Sequence, residues 1–124
     1  MDFTVNGVRI PLAYTIWAKK ELTEAFKDGM GVQNAFLADN DVDLAQNMAK
    51  MGSIMSRAYA MRQRSLAKLT GEEDDSNPID EETLFEILDR DLTIELVKAI
   101  TTTVADANKT TVEVKPEKKE TATE

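Results

Sequence analysis

The sequence predicts an α+β domain that is predominantly helical, with an N-terminal β-hairpin followed by four to five helices and a disordered C-terminal tail. Asn6-Gly7 separates two short alternating segments, which is typical of a hairpin. From Thr15 to Val104, outside the segment 72–78, apolar residues recur mostly at three- and four-residue steps, which indicates helices. The last residues are almost all polar or charged. We therefore divide the chain into a single domain, 1–108, and a polar tail, 109–124.

The hairpin is predicted over residues 3–5 and 8–14. Asn and Gly supply the two positive-φ positions of a type I′ turn, and Pro11 indicates that the second strand is an edge or ends early. The helical period begins after Thr15, and its apolar members are Ile16, Trp17, Leu22, Ala25 and Phe26. Gly29-Met30-Gly31 predicts the end of this helix and a loose joint after it.

The longest predicted helix runs from Val42 to Leu69. A short helix is expected before it, over 32–38, and Asp39-Asn40-Asp41 then supplies a polar break with good N-cap residues. Gly52-Ser53 permits a bend near the middle of the long helix. Gly71 can close it.

The segment 72–78 contains four adjacent acids and a proline, so we expect an exposed loop. Asp80 can cap the next helix, which starts near Glu81, and 91–93 is expected to separate it from the last helix. We predict that the core combines residues from the first helix and these two later helices: Trp17, Leu22, Phe26, Leu84, Phe85, Leu88, Leu96 and Ile100. Trp17→Ala is expected to cost roughly 3 to 5 kcal/mol if the indole is buried.

The composition argues against an enzyme. The chain of 124 residues has neither cysteine nor histidine, which removes thiolate nucleophiles and the commonest proton shuttle and transition-metal ligand. The acidic run 39–43 resembles the start of a calcium loop, but Leu44 and Lys50 stand where that motif needs glycine and glutamate. We expect no catalytic residue, no cofactor, no metal ion and no small-molecule substrate.

The sequence predicts neither a membrane-spanning segment nor a secretory signal. No run of about 18 apolar residues could span a membrane, and the N-terminus lacks the basic start and apolar stretch of a secretory signal. The sequence therefore predicts a soluble, cytoplasmic protein with no membrane partner.

Charge is distributed unevenly along the chain, whose net charge is −8. The segment 44–71 carries five basic residues and no acid, whereas 72–95 carries eleven acids and Arg90 as its one cation. The two segments could pack against each other within the fold, which we favour, or the basic helix could present a surface to a partner.

For a partner surface, the methionine-bearing helix offers candidates of two kinds, because methionine adapts to irregular partners and arginine orients them. We predict apolar contacts at Met48, Met51, Met55 and Tyr59, and orienting charges at Arg57, Arg62 and Arg64. For any one methionine, an ordinary position in the core is the stronger expectation.

The assembled pattern resembles the tail assembly chaperones of long-tailed bacteriophages, particularly those that infect Gram-positive hosts. The resemblance lies in the opening hairpin 3–14 running into the amphipathic helix Trp17–Phe26, in Glu82-Thr-Leu-Phe-Glu-Ile-Leu, in Leu96-Val-Lys-Ala-Ile and in the polar tail. It implies a protein that binds and solubilises the tape measure protein and recruits tail tube subunits. It also implies a site of action in the host cell cytoplasm and absence from the mature virion.

Families of this kind often make a longer product by ribosomal frameshifting. An A-rich slippery run could encode Lys118-Lys119, close to the end of the chain. The resemblance therefore suggests a second, longer product, which reading the gene would test.

The alternative is a small helical regulatory protein that binds nucleic acid or another regulator. Arg57, Arg62, Arg64 and Lys68, with Tyr59, form the patch that could contact nucleic acid. The net negative charge and the adjoining acidic loop disfavour it. Exposed apolar helices would also make self-association, and so a homo-oligomer, plausible.

Overall fold

The computed structural model describes the backbone of residues 2–26, 35–74 and 77–114, and the side chains of these residues up to 107. The described residues form two strands and four helices: β1 (Phe3–Val5), β2 (Val8–Ile10), α1 (Ile16–Ala25), α2 (Asp41–Thr70), α3 (Glu81–Ile87) and α4 (Arg90–Val114). The predicted fold class is thereby confirmed. The Gly29-Met30-Gly31 joint, residues 32–34 of the expected short helix and residues 115–124 lie outside the described residues.

The hairpin forms as its turn predicts. β1 and β2 pair antiparallel, with Phe3 opposite Ile10, and Asn6 and Gly7 have φ of 51° and 80°. β2 ends at Ile10, so the strand predicted over 8–14 stops directly before Pro11. Beyond it the chain lies on α2, because the backbone N–H of Ala13 donates to the carbonyl oxygen of Met55 at 3.1 Å.

Helix α1 packs against residues 50–65 of α2 and runs in the opposite direction. Thr15 caps it by accepting a hydrogen bond from the N–H of Ala18 at 3.1 Å. Leu22 is fully buried, and at the C-terminal end the Lys50 ammonium lies 5.6 Å from the centre of the Phe26 ring. Trp17, which we expected in the core, is only half-buried and lies beside α2 at the edge of the molecule.

Helix α2 confirms the longest predicted helix almost to the residue. Asn40 caps it by accepting from the N–H of Asp43 at 2.8 Å, and Gly71, with φ of 77°, ends it. The helix is continuous through Gly52 and Ser53, where the sequence permitted a bend.

Gly52 serves close packing between helices. A Cβ atom at this position would lie 2.8 Å from Cδ2 of Leu84 and 3.5 Å from both methyl carbons of Leu96. Both leucines are fully buried. The missing side chain therefore lets α3 and α4 approach the backbone of α2.

Two serines one turn apart hold the segment before α3. The Ser53 hydroxyl donates to the carbonyl oxygen of Ile79 at 3.0 Å, and the N–H of Ile79 donates to the Ser56 hydroxyl oxygen at 3.0 Å. Both serines are buried. Ile79 is thus held against α2. Asp80, the next residue, caps α3 as predicted by accepting from the N–H of Thr83 at 2.7 Å.

The break between α3 and α4 lies earlier than predicted. It falls at Leu88 and Asp89 and not at 91–93, because Asp89 acts as an N-cap and accepts from the N–H of Leu92 at 2.8 Å. α4 then continues to Val114. Residues 109–114, which we assigned to the tail, therefore have a helical backbone.

The core lies where the hairpin, α1, α3 and α4 meet the first two-thirds of α2. Of the predicted core residues, four are fully buried: Leu22, Leu84, Leu96 and Ile100. Phe26, Phe85 and Leu88 are partly buried and pack against them. Burial of this kind stabilises the fold by roughly 1.5 to 3 kcal/mol for each large apolar side chain.

Candidate partner-binding surface

Three of the predicted partner contacts lie in the core. Met48, Met51 and Met55 have no exposed surface and belong to the main apolar cluster. The structure thus gives these methionines the core position that we considered the stronger expectation for each. In this conformation they offer no surface to a partner.

The other predicted contacts lie outside the core but do not form one patch. Arg57, Arg62 and Arg64 are exposed. Tyr59 is half-buried and lines a shallow depression with Arg9, Pro11 and Asn77. The depression lies on the side of α2 that faces residues 77–79.

Arg64 lies instead in an acidic setting. With Lys68, it lines a depression whose other residues are Glu72, Glu73 and Asp74. Three acids of the loop, Glu72, Glu73 and Asp74, thus lie beside the basic end of α2. This agrees with the favoured interpretation, in which the oppositely charged segments pack within one fold.

The last turns of α2 carry an apolar surface that is exposed among the described residues. Leu66 and Leu69 continue the same helical stripe as the buried methionines, since Leu69 follows Met51 by five full turns. They are nonetheless 48% and 82% exposed. The described elements that bury the stripe earlier in the helix do not extend over its end.

Helix α1 adds two apolar residues to this surface. Ile16 is 83% exposed, and with Trp17 it lines a groove of about 310 Å³ against Ala58, Met61, Arg62 and Ser65 of α2. We call the surface formed by Ile16, Trp17, Met61, Leu66 and Leu69 the α1–α2 face. Arg62 lines the groove and is exposed, and Arg57, which is also exposed, lies one helical turn before Met61.

The sequence showed part of this face. Leu66 and Leu69 lie on the apolar side of the predicted long helix, but we placed Trp17 in the core and proposed the methionines as apolar contacts to a partner. Periodicity shows which side of a helix is apolar, but it does not show how far along the helix the covering elements reach.

A second apolar depression lies near the other end of α2. It is a cleft of about 450 Å³ between the first turn of α2 and the α3–α4 junction. Its apolar lining comes from Val42, Leu44, Ala45, Phe85, Leu88 and Ile94, and its polar lining from Asp41, Asp89, Arg90 and Thr93. Val42 is 61% exposed and Ile94 45%. We call this depression the α2–α4 cleft.

Two side chains with shifted pKa values lie away from both surfaces. Burial raises the pKa of the Tyr14 hydroxyl, which packs against the core. Hydrogen bonds from Thr83, chiefly from its side chain and also from its backbone N–H, lower the pKa of Asp80. Both shifts follow from structural roles, packing in one case and helix capping in the other.

Within the described ranges, no cluster of three or more acidic side chains is arranged to hold a metal ion. Over the same residues, none of the helices combines the length and hydrophobicity needed to cross a membrane. Comparison with protein-family models, curated protein sequences and solved structures gave no match.

Proposed function

We propose that this chain is a binding protein that holds an apolar helical segment of a partner on its α1–α2 face, in the manner of a phage tail assembly chaperone. The observation that supports the proposal is the group of large apolar side chains left exposed at the start of α1 and the end of α2. Ile16 and Leu69, each more than 80% exposed, would lose this surface to water-excluding contact when a helix packs there.

The form of the face favours a helical partner. Leu66 and Leu69 lie three residues apart and so share one side of α2, as residues in the seam of a helix pair do. Arg57 and Arg62 are exposed and could pair with acidic residues at the edge of the partner helix. The partner expected from this chemistry is an amphipathic helix with acidic flanks.

The resemblance to tail assembly chaperones names the partners within this proposal. The client is the tape measure protein, which the chaperone keeps soluble, and tail tube subunits are recruited to the complex. The protein acts in the host cell cytoplasm and leaves before the virion matures.

The binding test uses fragments of the tape measure protein from the same genome and the immobilised full-length chain. Leu66→Gln combined with Leu69→Gln should abolish capture, because it removes the apolar contact and keeps good helix formers on an exposed surface. Val8→Gln is the matched control, since Val8 is 61% exposed on the hairpin and away from the face. Equal capture by all three proteins would exclude the α1–α2 face.

The genes beside the coding sequence give an independent test. The proposal predicts a tube protein gene upstream and a gene for a very long coiled-coil protein downstream. If neither gene is present, the assignment to tail assembly fails, whereas the binding surface can still be tested with an acidic amphipathic peptide.

Nucleic-acid binding is the competing function, because Arg57 and Arg62 are exposed and 44–71 carries no acid. It predicts affinity for DNA or RNA that falls steeply with salt and is lost when Arg57, Arg62 and Arg64 become Ala. Client capture through apolar contacts predicts a weak dependence on salt. A salt titration of both affinities separates the two functions.

A further inference from the structure

The part of the α1–α2 face that lies past α1 is short. Ile16, at the start of α1, lines the groove with Arg62, and the exposed leucines Leu66 and Leu69 follow on α2. α2 has its C-cap at Gly71, nine residues after Arg62, which is roughly 14 Å along a helix that rises about 1.5 Å per residue. A partner helix on this part of the face would therefore contact α2 over about two to three turns.

Two cations lie at the α1 side of this length. Arg62 lines the groove and is exposed, and Arg57, which is also exposed, precedes it on α2. Neither guanidinium forms an ion pair with a carboxylate in the part of the chain that the structure describes. Both are therefore available to carboxylates of a partner.

The end of the face past Leu69 is acidic. Glu72 and Glu73 follow the C-cap of α2 and are exposed. They line a depression in which three acids stand against two cations: Arg64, Lys68, Glu72, Glu73 and Asp74. The C-terminus of α2 adds partial negative charge from its last carbonyl groups. A cation of a partner is thus favoured at this end, and a further acid is disfavoured.

We propose that the α1–α2 face binds a short helix whose two ends carry opposite charge, with its acidic end beside Arg57 and Arg62 and its basic end beside Glu72 and Glu73. The inference rests on the proposed function, since it describes the segment of the client that the face holds. The apolar side of the segment packs on the two exposed leucines between these ends. The acids expected in the partner are thus confined to one end of it.

Synthetic helical peptides of about 15 residues test the proposal with the full-length chain. A polarised peptide carries glutamates at one end and lysines at the other, and it is made in both orders along its chain. A mixed peptide has the same composition, the same apolar stripe and the same net charge, but each of its ends combines glutamate with lysine. Fluorescence anisotropy at low ionic strength measures the affinities, because salt screens exposed charges.

The tighter-binding of the two polarised peptides should bind the wild-type chain roughly three- to tenfold more tightly than the mixed peptide. Exposed ion pairs each contribute little, so a few of them give a preference of this size. The apolar contact is the same in both cases. The preference should shrink as salt is added.

Glu72→Lys with Glu73→Lys should remove the preference, because the basic end of the peptide then meets lysines. Glu86→Lys with Glu95→Lys is the matched control, since it changes the net charge of the protein equally and both acids are exposed on α3 and α4. These helices approach α2 at Gly52, away from the face. The control should keep the wild-type preference. Far-ultraviolet circular dichroism shows that each variant is folded.

The failure of this proposal can be told apart from the failure of the proposed function. Equal affinity of the polarised and mixed peptides for the wild type would overturn the charge order, and so would a preference that survives Glu72→Lys with Glu73→Lys. If both peptides bind without preference and lose affinity in Leu66→Gln with Leu69→Gln, the binding face stands and only the charge order fails. If no peptide binds the wild type, the face fails as a binding surface together with the charge order.

Discussion

The first two-thirds of α2 and its last turns have the same pattern of residues but opposite surroundings. Met51 and Leu69 lie on the same side of the helix, five turns apart, yet Met51 has no exposed surface and Leu69 is 82% exposed. The hairpin, α1, α3 and α4 meet around Met51, whereas Leu69 lies past them. An apolar stripe thus stabilises the fold over one part of its length and is exposed over the rest.

The largest expected difference is between Met51→Ala and Leu69→Ala. Met51→Ala should lower the free energy of unfolding by roughly 2 to 5 kcal/mol, because it leaves a cavity in the core. Leu69→Ala should change it by less than about 0.5 kcal/mol. Urea denaturation of both variants measures the difference, and similar losses would contradict the division of α2.

The burial of Met51 and Met55 decides which substitutions can test binding. Met51→Asp and Met55→Asp would place carboxylates in the core, where an unpaired charge is costly. Loss of binding in these variants would therefore report unfolding. Substitutions at Leu66 and Leu69 test binding without this complication, because these side chains are exposed.

Gly52→Val should be the next largest effect. The added side chain would collide with Leu84, whose Cδ2 atom lies 2.8 Å from the position of a Cβ. Valine is a better helix former than glycine, but overpacking of a core costs roughly 1 to 3 kcal/mol. Thermal unfolding should show a lower Tm, and Gly52→Val combined with Leu84→Ala should recover part of the loss. A variant as stable as the wild type would show that α3 is not held closely against Gly52.

Trp17→Ala should have a smaller effect than full burial of the indole would give. Trp17 is half-buried at the edge of α1 and α2, so we expect a loss of about 1 to 2 kcal/mol in place of the roughly 3 to 5 kcal/mol typical of a buried tryptophan. Chemical denaturation measures this loss. A cost at the upper end of the range for a buried side chain would place Trp17 in the core after all.

The smallest expected effect depends on pH and on the cap of α3. Because hydrogen bonds to Thr83 lower the pKa of Asp80 in the folded protein, its carboxylate stabilises the fold above the ordinary aspartate pKa. This stabilisation is lost as the pH falls through the lowered pKa. Asp80→Ala should therefore be less stable than the wild type at neutral pH, and the difference should shrink in acid. A difference independent of pH would contradict the role of the charge.

Local signals in the sequence predicted much of the fold. Asn6-Gly7 indicated the turn type, because a type I′ turn requires positive φ at two adjacent positions and these two residues adopt it readily. Gly71 and the polar residues before α2 marked the ends of the long helix. These features depend on a few adjacent residues. They could be read without knowing what packs against them.

Features that depend on distant residues were harder to predict. The α3–α4 break was placed too late, at 91–93, because apolar residues continue at helical spacing across Asp89, and only the capping hydrogen bond of Asp89 shows where α4 begins. Gly52 looked like a bend because its role depends on Leu84, which is 32 positions away. The candidate face was missed for the same reason: its exposure depends on where α1 and the later helices end.

The emission of Trp17, the single tryptophan in the chain, tests the central claim most directly. Trp17 lies in the α1–α2 face, so a client helix bound there should exclude water from the indole and shift its emission to shorter wavelength. The titration uses a tape-measure fragment without tryptophan, with Leu66→Gln and Leu69→Gln as the variant that should show no shift. A fragment that binds tightly and leaves the emission of Trp17 unchanged would contradict the account.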